Sequence, residues 1–228
     1  MNLLNDIPFK PSLEDILKKL RLPAENREII TSIEEIIEIV HSTARPKAVY
    51  KVSYIDNKNN NSVCIDGVTF TSRVLRVNLD KVERVFPYIA TCGKEMDEIT
   101  AKSDDFVINY CLDTIKGMAL KTALDYLSKH ISDTYMTGKL SKMNPGSLED
   151  WPISQQKELF SVFSNTENTV GVNLSDSYLM IPVKSVSGIL FPTKVIFESC
   201  KLCPREVCDG RRKPYDPEEV KKYKNRQL

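Results

Sequence analysis

The sequence predicts an α+β fold built on an antiparallel sheet. Helical and strand patterns come in clusters along the 228 residues, not in strict alternation, which disfavours regular βαβ units. About two-fifths of the residues are hydrophobic (41%), enough to bury a core, and no repeat or linker interrupts the pattern before residue 196. Residues 8–196 are therefore predicted to form one domain, followed by a peripheral segment at 197–228.

Two helices are predicted first. Ser12 and Asp15 have the spacing of a capping box, in which each satisfies a backbone amide at a helix N-terminus. Apolar residues then recur at helical spacing over residues 13–20 and again over residues 29–40. Pro46 follows the second stripe and is expected to end that helix.

Strand patterns begin after Pro46. Apolar residues alternate with others along residues 47–55, which predicts one strand. The alternation returns over residues 63–70, where Asp66-Gly67 predicts a tight turn.

A short helix through Val82 and Val85 is expected to lead into a buried strand at residues 86–93. The longest helical pattern spans residues 104–131. Gly117 lies inside it, and a glycine there costs about 1 kcal/mol relative to alanine, so it suggests close packing against a neighbouring element.

The remainder is predicted to be mixed. Residues 136–152 have the composition of a loop, and the last 20 residues, mostly charged, are expected to be extended. Strand patterns lie between them, at residues 169–174, 177–181, 185–191 and 194–197.

Composition excludes several classes of function. The net charge of +1 indicates neither a nucleic-acid partner nor a membrane surface. No apolar run approaches the roughly 20 residues of a membrane-spanning helix, and the first residues do not form a signal peptide. A cytoplasmic location is therefore expected, where neighbouring cysteines bind metals or act in catalysis more often than they form disulfides.

Three of the six cysteines lie in one short stretch with the spacing C-x2-C-x4-C: Cys200, Cys203 and Cys208. Thiolates suit zinc and iron–sulfur clusters, and a short loop can wrap one ion. The fourth ligand could be another cysteine, a different side chain or an exchangeable group. Three loop thiols without a metal are the alternative.

The segment PGSLEDWP, residues 145–152, has two interpretations. It could be a surface turn before a helix, with Glu149 and Asp150 favouring the helix N-terminus. It could also be a ligand loop, because Pro-Gly lets the backbone approach a ligand and the acids could bind an amine or a ribose. His41 and His130 are explained by positions near helix C-termini, and no P-loop, dinucleotide or G-x-S-x-G motif is present.

Four segments resemble the activation domain of cobalamin-dependent methionine synthase in its stand-alone form. They are YIATCGKEMDE (88–98), LDTIKGMAL (112–120), PGSLEDWPISQQKELFSVF (145–163) and VGVNLSDSYLMIPVKSVSGILFP (170–192). The last two are the most specific, and the resemblance runs over most of residues 8–196.

The resemblance implies a bent antiparallel sheet flanked by helices, with a shallow groove for S-adenosylmethionine. It also implies a task, the reductive methylation of inactive cob(II)alamin held by a partner methyltransferase. The cobalamin is presented by that partner, a corrinoid protein or methionine synthase, and the electron comes from a donor such as flavodoxin or ferredoxin. A thiolate cluster on this chain could deliver the electron itself, which favours an iron–sulfur cluster over zinc.

The family groove has the pattern R-x-x-x-G-Y, and here the corresponding residues are Lys142, Gly146 and Ser147. Lysine offers one compact charge where arginine makes two parallel hydrogen bonds to a carboxylate, and the aromatic face is missing at residue 147. An aromatic pair after Ser-Gly in the family corresponds to Ile189 and Leu190. The resemblance thus implies a ligand site formed by Lys142, Pro145, Gly146, Ser147, Glu149, Asp150, Trp151, Ser187, Gly188 and Leu190.

Three functions remain open at this point. The chain could be an accessory protein that reactivates a corrinoid methyltransferase with S-adenosylmethionine. It could be a module that binds a corrinoid protein or transfers electrons but has lost the methyl donor. It could also be a zinc protein with an unrelated role and an acidic partner for its basic tail.

Overall fold

The computed structural model describes residues 1–21, 27–99 and 106–226. The strands in this part of the chain are β1 (Asn2–Leu4), β2 (Lys47–Tyr50), β3 (Ser53–Lys58), β4 (Ser62–Ile65), β5 (Val68–Thr71), β6 (Arg84–Thr91), β7 (Leu140–Met143), β8 (Asn173–Leu174), β9 (Met180–Ile181) and β10 (Ser185–Pro192). The helices are α1 (Leu13–Leu20), α2 (Arg27–Thr43), α3 (Arg73–Asn78), α4 (Lys94–Asp97), α5 (Phe106–Tyr135), α6 (Gln156–Ser161), α7 (Thr166–Val170) and α8 (Pro217–Asn225).

Eight of these strands form one curled sheet in which every pairing is antiparallel. β6 lies at its centre, with β10 on one edge and β2 and then β3 along the other. β7 pairs with β10 and forms an outer edge, while β8 and β9 make a separate small hairpin. The predicted α+β class, with a bent antiparallel sheet flanked by helices, is confirmed.

Both faces of the sheet are covered by apolar side chains. On one face, Tyr50, Tyr88 and Leu190 pack against Leu127 and its neighbours on α5. On the other face, Ile89 and Ile189 belong to a cluster that also contains Trp151 and Phe70. The second cluster therefore fixes the segment around Trp151 directly against the sheet.

A third cluster joins α1, α2 and α4 to the first half of α5, with Ile16, Ile33 and Ile115 fully buried. The capping box at the start of α1 is confirmed, because the Asp15 amide donates to the Ser12 hydroxyl and the Asp15 carboxylate accepts from Ser12. None of the described helices is both long and apolar enough to cross a membrane.

The helix predicted through Val82 and Val85 is wrong. Val85 lies in β6, and the short helix in this region, α3, begins earlier. Ser72 caps it, since the Ser72 hydroxyl accepts a hydrogen bond from the Leu75 amide at 2.9 Å. A serine before an apolar stretch was the available signal for this start.

The strand predicted over residues 47–55 is divided at Lys51 into β2 and β3. The tight turn at Asp66-Gly67 is present, with φ angles of 48° and 77°. The start of the helix predicted at 104–131 lies outside the described residues, because residues 104 and 105 are not among them; the helix continues to Tyr135. Close packing at Gly117 is not found among the described residues, since none of their atoms outside the helix's own backbone lies within 4 Å of a Cβ placed there.

Two predictions for irregular structure are also wrong. The stretch 136–152 contains the edge strand β7, and the charged tail contains α8. Asp216 caps α8 by accepting hydrogen bonds from the amides of Glu218 and Glu219, each at 3.1 Å. The sheet also includes β1, which lies ahead of residue 8.

Candidate functional site

The Pro–Gly loop, defined here as residues 144–151, follows the edge strand β7. Lys142 lies in β7 opposite Leu190 of β10, so its position is fixed by the register of the sheet. Gly146 has φ 80°, a conformation that favours glycine, and its amide donates to the Trp151 carbonyl at 2.7 Å. A Cβ at residue 146 would lie 2.6 Å from Cδ1 of Ile153, so the turn has no room for a side chain.

Asn144 connects the loop to the centre of the sheet. Its side-chain amide donates to the Tyr88 hydroxyl at 2.7 Å and to the Ser187 carbonyl at 2.6 Å. Gly188 makes this possible, because a Cβ there would overlap the Asn144 amide nitrogen and would lie 2.5 Å from the Met143 carbonyl oxygen. Burial raises the pKa of Tyr88, so its hydroxyl stays protonated as a partner for Asn144.

The first cavity, of about 570 Å³, lies between the Pro–Gly loop, the edge of β7 and the segment after residue 196. Its cationic side chains are Lys142, Arg205 and Arg212, and the acid among its lining residues is Glu198. Arg212 donates to Glu198 at 3.1 Å. The cavity therefore has a positive balance of charge.

Among the described residues, no hydrogen bond or ion pair reaches the ammonium group of Lys142. Although the Lys142 side chain is exposed at the sheet edge, the surrounding protein atoms partly desolvate its ammonium group and lower its pKa, and the nearby positive charge of Arg212 lowers it further. An anion beside Lys142 would offset both effects. The cavity is thus suited to a ligand that places a carboxylate or a similar anion near Lys142.

Half of the predicted ligand residues line the first cavity: Lys142, Gly146, Ser147, Trp151 and Leu190. The other half do not: Pro145, Glu149, Asp150, Ser187 and Gly188. Pro145, Ser187 and Gly188 are buried, so they contribute to the packing of the loop and not to the cavity wall. Glu149 is exposed and faces a different cavity.

Asp150 binds the protein itself. One carboxylate oxygen accepts hydrogen bonds from the Ser72 hydroxyl and from the Val74 amide at 2.9 Å, and the other accepts from the Arg73 amide at 3.2 Å. These donors lie at the N-terminus of α3, where a carboxylate is favoured. The geometry gives Asp150 a structural role, and its contact to an amine or a ribose stays a prediction.

Trp151 is fully buried, although it forms part of the cavity wall. Its indole N–H donates to Gln155 at 2.9 Å, and its ring lies edge-on to Phe70, with 6.1 Å between the ring centroids. The ring therefore belongs to the core and offers no open face on which an adenine could stack. Ile189 is likewise fully buried, whereas Leu190 lines the cavity.

All three clustered cysteines, Cys200, Cys203 and Cys208, line the first cavity. The loop that contains them is held by Arg211, whose guanidinium group donates to the backbone carbonyls of Cys200 at 3.2 Å, Cys203 at 3.5 Å and also Arg205. Arg211 thus holds the loop through its backbone carbonyls, whereas a metal would bind the cysteine thiolates.

The predicted metal site at Cys200, Cys203 and Cys208 is not supported by this arrangement. Among residues 1–21, 27–99 and 106–226, no group of three or more histidine, cysteine, aspartate or glutamate side chains is placed to hold an ion. Cys200 and Cys203 are half-buried, whereas Cys208 is exposed. Binding of one ion by all three thiols would require the loop to rearrange.

No protein-family model matches the chain, and no curated protein sequence matches it. Among solved structures, the chain is similar to a crystal structure described as the MetH reactivation domain bound to AdoHcy. The TM-score is 0.61 and the sequence identity 12%, and the match covers 87% of this chain and 81% of that chain. The chain has the fold of the MetH reactivation domain.

The shared fold agrees with the resemblance of the sequence segments. At 12% identity the match establishes the fold of the chain but not its ligand. The ligand has to be argued from the residues of the groove. The match supports the fold and does not confirm a role for the cysteine segment.

Sequence reasoning missed three side chains at the site: Asn144, Arg205 and Arg212. Asn144 directly precedes Pro145, and asparagine before proline was a visible turn signal. The two arginines lie in a segment predicted to be peripheral, so no local pattern placed them beside the Pro–Gly loop.

Proposed function

We propose that this protein is an accessory factor for the reductive reactivation of a corrinoid methyltransferase, with cobalamin-dependent methionine synthase as the first candidate partner. In this proposal the first cavity binds S-adenosylmethionine as the methyl donor. The observation behind it is the position of Lys142, an unpartnered cation beside the Pro–Gly loop, in a fold shared with a domain that holds AdoHcy.

The residues of the cavity suit this ligand in part. Lys142 offers an ammonium group for the donor's carboxylate, and the exposed Ser147 offers a hydroxyl group. Leu190 and Met143 add apolar surface to the wall. Bound to the partner, cobalamin would supply the cobalt that accepts the methyl group after one-electron reduction. The part of this chain is to bind the donor and present its methyl group.

Binding is expected to be weak. An arginine would make two hydrogen bonds to the donor's carboxylate where Lys142 makes one, and an aromatic side chain would stack where Ser147 cannot. Together these losses reduce the free energy of binding by about 2–4 kcal/mol. That difference corresponds to roughly 30- to 1,000-fold lower affinity than a groove with the family residues would have. Docking on the partner could close the open side of the cavity and recover part of this loss.

Calorimetry with S-adenosylmethionine and S-adenosylhomocysteine tests the proposal, first on the full chain and then on its complex with the methyltransferase. Lys142→Ala should abolish donor binding. Lys139→Ala is the matched control, because Lys139 is exposed, lies immediately before β7 and does not line the cavity. The double variant Lys142→Arg with Ser147→Tyr should strengthen binding. Absence of binding in both settings would exclude the methyl-donor role.

A second candidate function is a module that binds a corrinoid protein, or transfers electrons to it, without the methyl donor. It is favoured by the engagement of Asp150 and Trp151 within the fold, which leaves few side chains to recognise adenosine. Under this function, Lys142→Ala should leave the affinity for the corrinoid partner unchanged. Donor calorimetry on the same complex separates the two functions, because only the first predicts donor binding that Lys142→Ala abolishes.

A further inference from the structure

A second cavity, of about 680 Å³, lies on the far side of residues 203–205 from the first. Its volume falls within the roughly 300–1,000 Å³ that small-molecule sites span. It is bounded by the Pro–Gly loop, the start of α3, residues 202–205 and α8. It shares Gly146, Ser147, Leu148, Cys203 and Arg205 with the first cavity, whereas its wall on α8 has no part in the proposed function.

Apolar and aromatic side chains form most of its wall: Val74, Leu148, Leu202, Pro204, Tyr215, Val220 and Tyr223. Tyr223 is held in place, since its hydroxyl donates to Asn78 Oδ1 at 3.0 Å and its ring lies edge-on to Phe197. Tyr215 is 43% exposed and offers an accessible ring. Two tyrosines beside aliphatic side chains favour a planar, apolar ligand body.

The charged groups of the second cavity are the cations Arg73, Arg205 and Lys224 and the acids Glu149 and Asp150. The Asp150 carboxylate already accepts hydrogen bonds at α3, and the Arg73 guanidinium donates to the carbonyls of Asn60 and Arg226. Arg205 and Lys224 have no side-chain partner among the described residues. Among the described residues, the rim of the second cavity therefore carries two cations without a side-chain partner, Arg205 and Lys224, and one acid without a partner, Glu149.

We propose that the second cavity binds a small planar aromatic anion. The ring system would pack against Tyr215, Tyr223 and Val220, and the anionic group would lie between Arg205 and Lys224. An exposed anion and cation attract each other weakly in water, so the apolar wall provides the affinity and the two cations provide the preference for negative charge. This site adjoins the methyl-donor site and shares Arg205 with it, but Tyr215, Val220, Tyr223 and Lys224 line the second cavity and not the first, so neither proposal depends on the other.

The test uses 8-anilinonaphthalene-1-sulfonate, a fluorescent aromatic sulfonate, with the full chain. We expect saturable binding at one site per chain that weakens as salt is added. Lys224→Gln should weaken binding about fivefold through the loss of one ion pair, and Tyr215→Ala should weaken it by a similar factor. A neutral naphthalene dye should bind less tightly and should not respond to salt.

Lys221→Gln is the matched control for Lys224→Gln, because Lys221 lies one helical turn earlier on α8 and lines neither cavity. Lys142→Gln controls for the first cavity. Circular dichroism must show the same folded signal for every variant. Dye binding that survives both Lys224→Gln and Tyr215→Ala would overturn the proposal, as would binding lost only in Lys142→Gln. An absence of saturable dye binding would also overturn the proposal. None of these results changes the outcome expected from calorimetry with the methyl donor.

Discussion

The carboxylate of Asp150 accepts a hydrogen bond from the hydroxyl group of Ser72, the residue that caps α3. The two residues are 78 positions apart in the sequence, so this contact ties the Pro–Gly loop to the helix across the sheet edge. The loop that was compared with a family ligand site is therefore also a structural element of the fold.

Asp150→Ala should destabilise the protein by about 1–2 kcal/mol, the usual cost of removing a side chain that satisfies helix N-terminal amides. Urea unfolding would measure the change in the free energy of unfolding. Glu149→Ala is the neighbouring control and should change it by less than about 0.5 kcal/mol, since Glu149 is exposed. Unchanged stability together with much weaker donor binding would instead assign Asp150 to the ligand.

Gly188→Ala should destabilise the protein by about 1–3 kcal/mol, because the added methyl group overlaps the Asn144 side chain and the β7 backbone. The Pro–Gly loop should shift, and the fluorescence of Trp151, the single tryptophan, would report the shift. Thermal unfolding would measure the loss of stability. A variant with wild-type stability and fluorescence would show that Asn144 can move without cost.

Gly117→Ala should stabilise the protein by about 1 kcal/mol, because alanine has the higher helix propensity. Among residues 1–21, 27–99 and 106–226, no atom beyond the backbone of α5 itself lies within 4 Å of the new methyl group. Thermal and urea unfolding should agree on the increase. A decrease in stability would mean that the open space is filled in solution, for example by a partner or a second copy of the chain.

As the pH rises, donor binding should begin to weaken at a lower pH than it would with a lysine of ordinary pKa. Partial desolvation of the ammonium group lowers the pKa of the exposed Lys142 from its usual value of 10.5, and only the protonated ammonium group attracts a carboxylate. The affinity for S-adenosylhomocysteine should therefore be full below the lowered pKa and fall as the pH rises through it. In Lys142→Arg that part of the decline should disappear, while titration of the ligand's own amino group remains. Identical pH profiles for both proteins would contradict a contact to residue 142.

Arg211→Ala should make Cys200 and Cys203 react about tenfold faster with an alkylating reagent, because losing hydrogen bonds of about 1 kcal/mol or more raises the population of the open loop. Mass spectrometry of labelled peptides would measure the rate at each cysteine. Arg212→Ala is the control, since Arg212 makes one ion pair with Glu198. Unchanged rates in Arg211→Ala, together with one iron–sulfur cluster or zinc ion per anaerobically purified chain, would show that a metal orders the loop.

Much of the fold was predictable because the periodicities were local. The capping box at Ser12, the turn at Asp66-Gly67 and the long α5 follow from neighbouring residues. β7 was missed because Leu-Ser-Lys-Met does not alternate apolar and polar residues. It is a strand through its pairing with β10, a contact that no local pattern contains.

The candidate site was predicted only in part for the same reason. Gly146 follows from a local turn, and Lys142 was found through the resemblance alone. The wall formed by Cys203 and Arg205 depends on α8, where Tyr223 packs against Phe197 and binds Asn78. Composition alone described that segment as a charged tail, although Asp216 followed by Pro217 is a helix start signal.

The position of Asn144 directly before Pro145 also affects how readily Asn144 deamidates. Asparagine amides are lost most readily when the next backbone nitrogen attacks the side chain, and a proline nitrogen has no hydrogen with which to complete that attack. Hydrolysis to aspartate would replace the amide that donates to Tyr88 and Ser187 by an acceptor-only carboxylate beside a carbonyl oxygen. The residue that connects the Pro–Gly loop to the sheet is thus followed by a residue that blocks this route of deamidation, so Asn144 should keep its amide longer than an asparagine before glycine would.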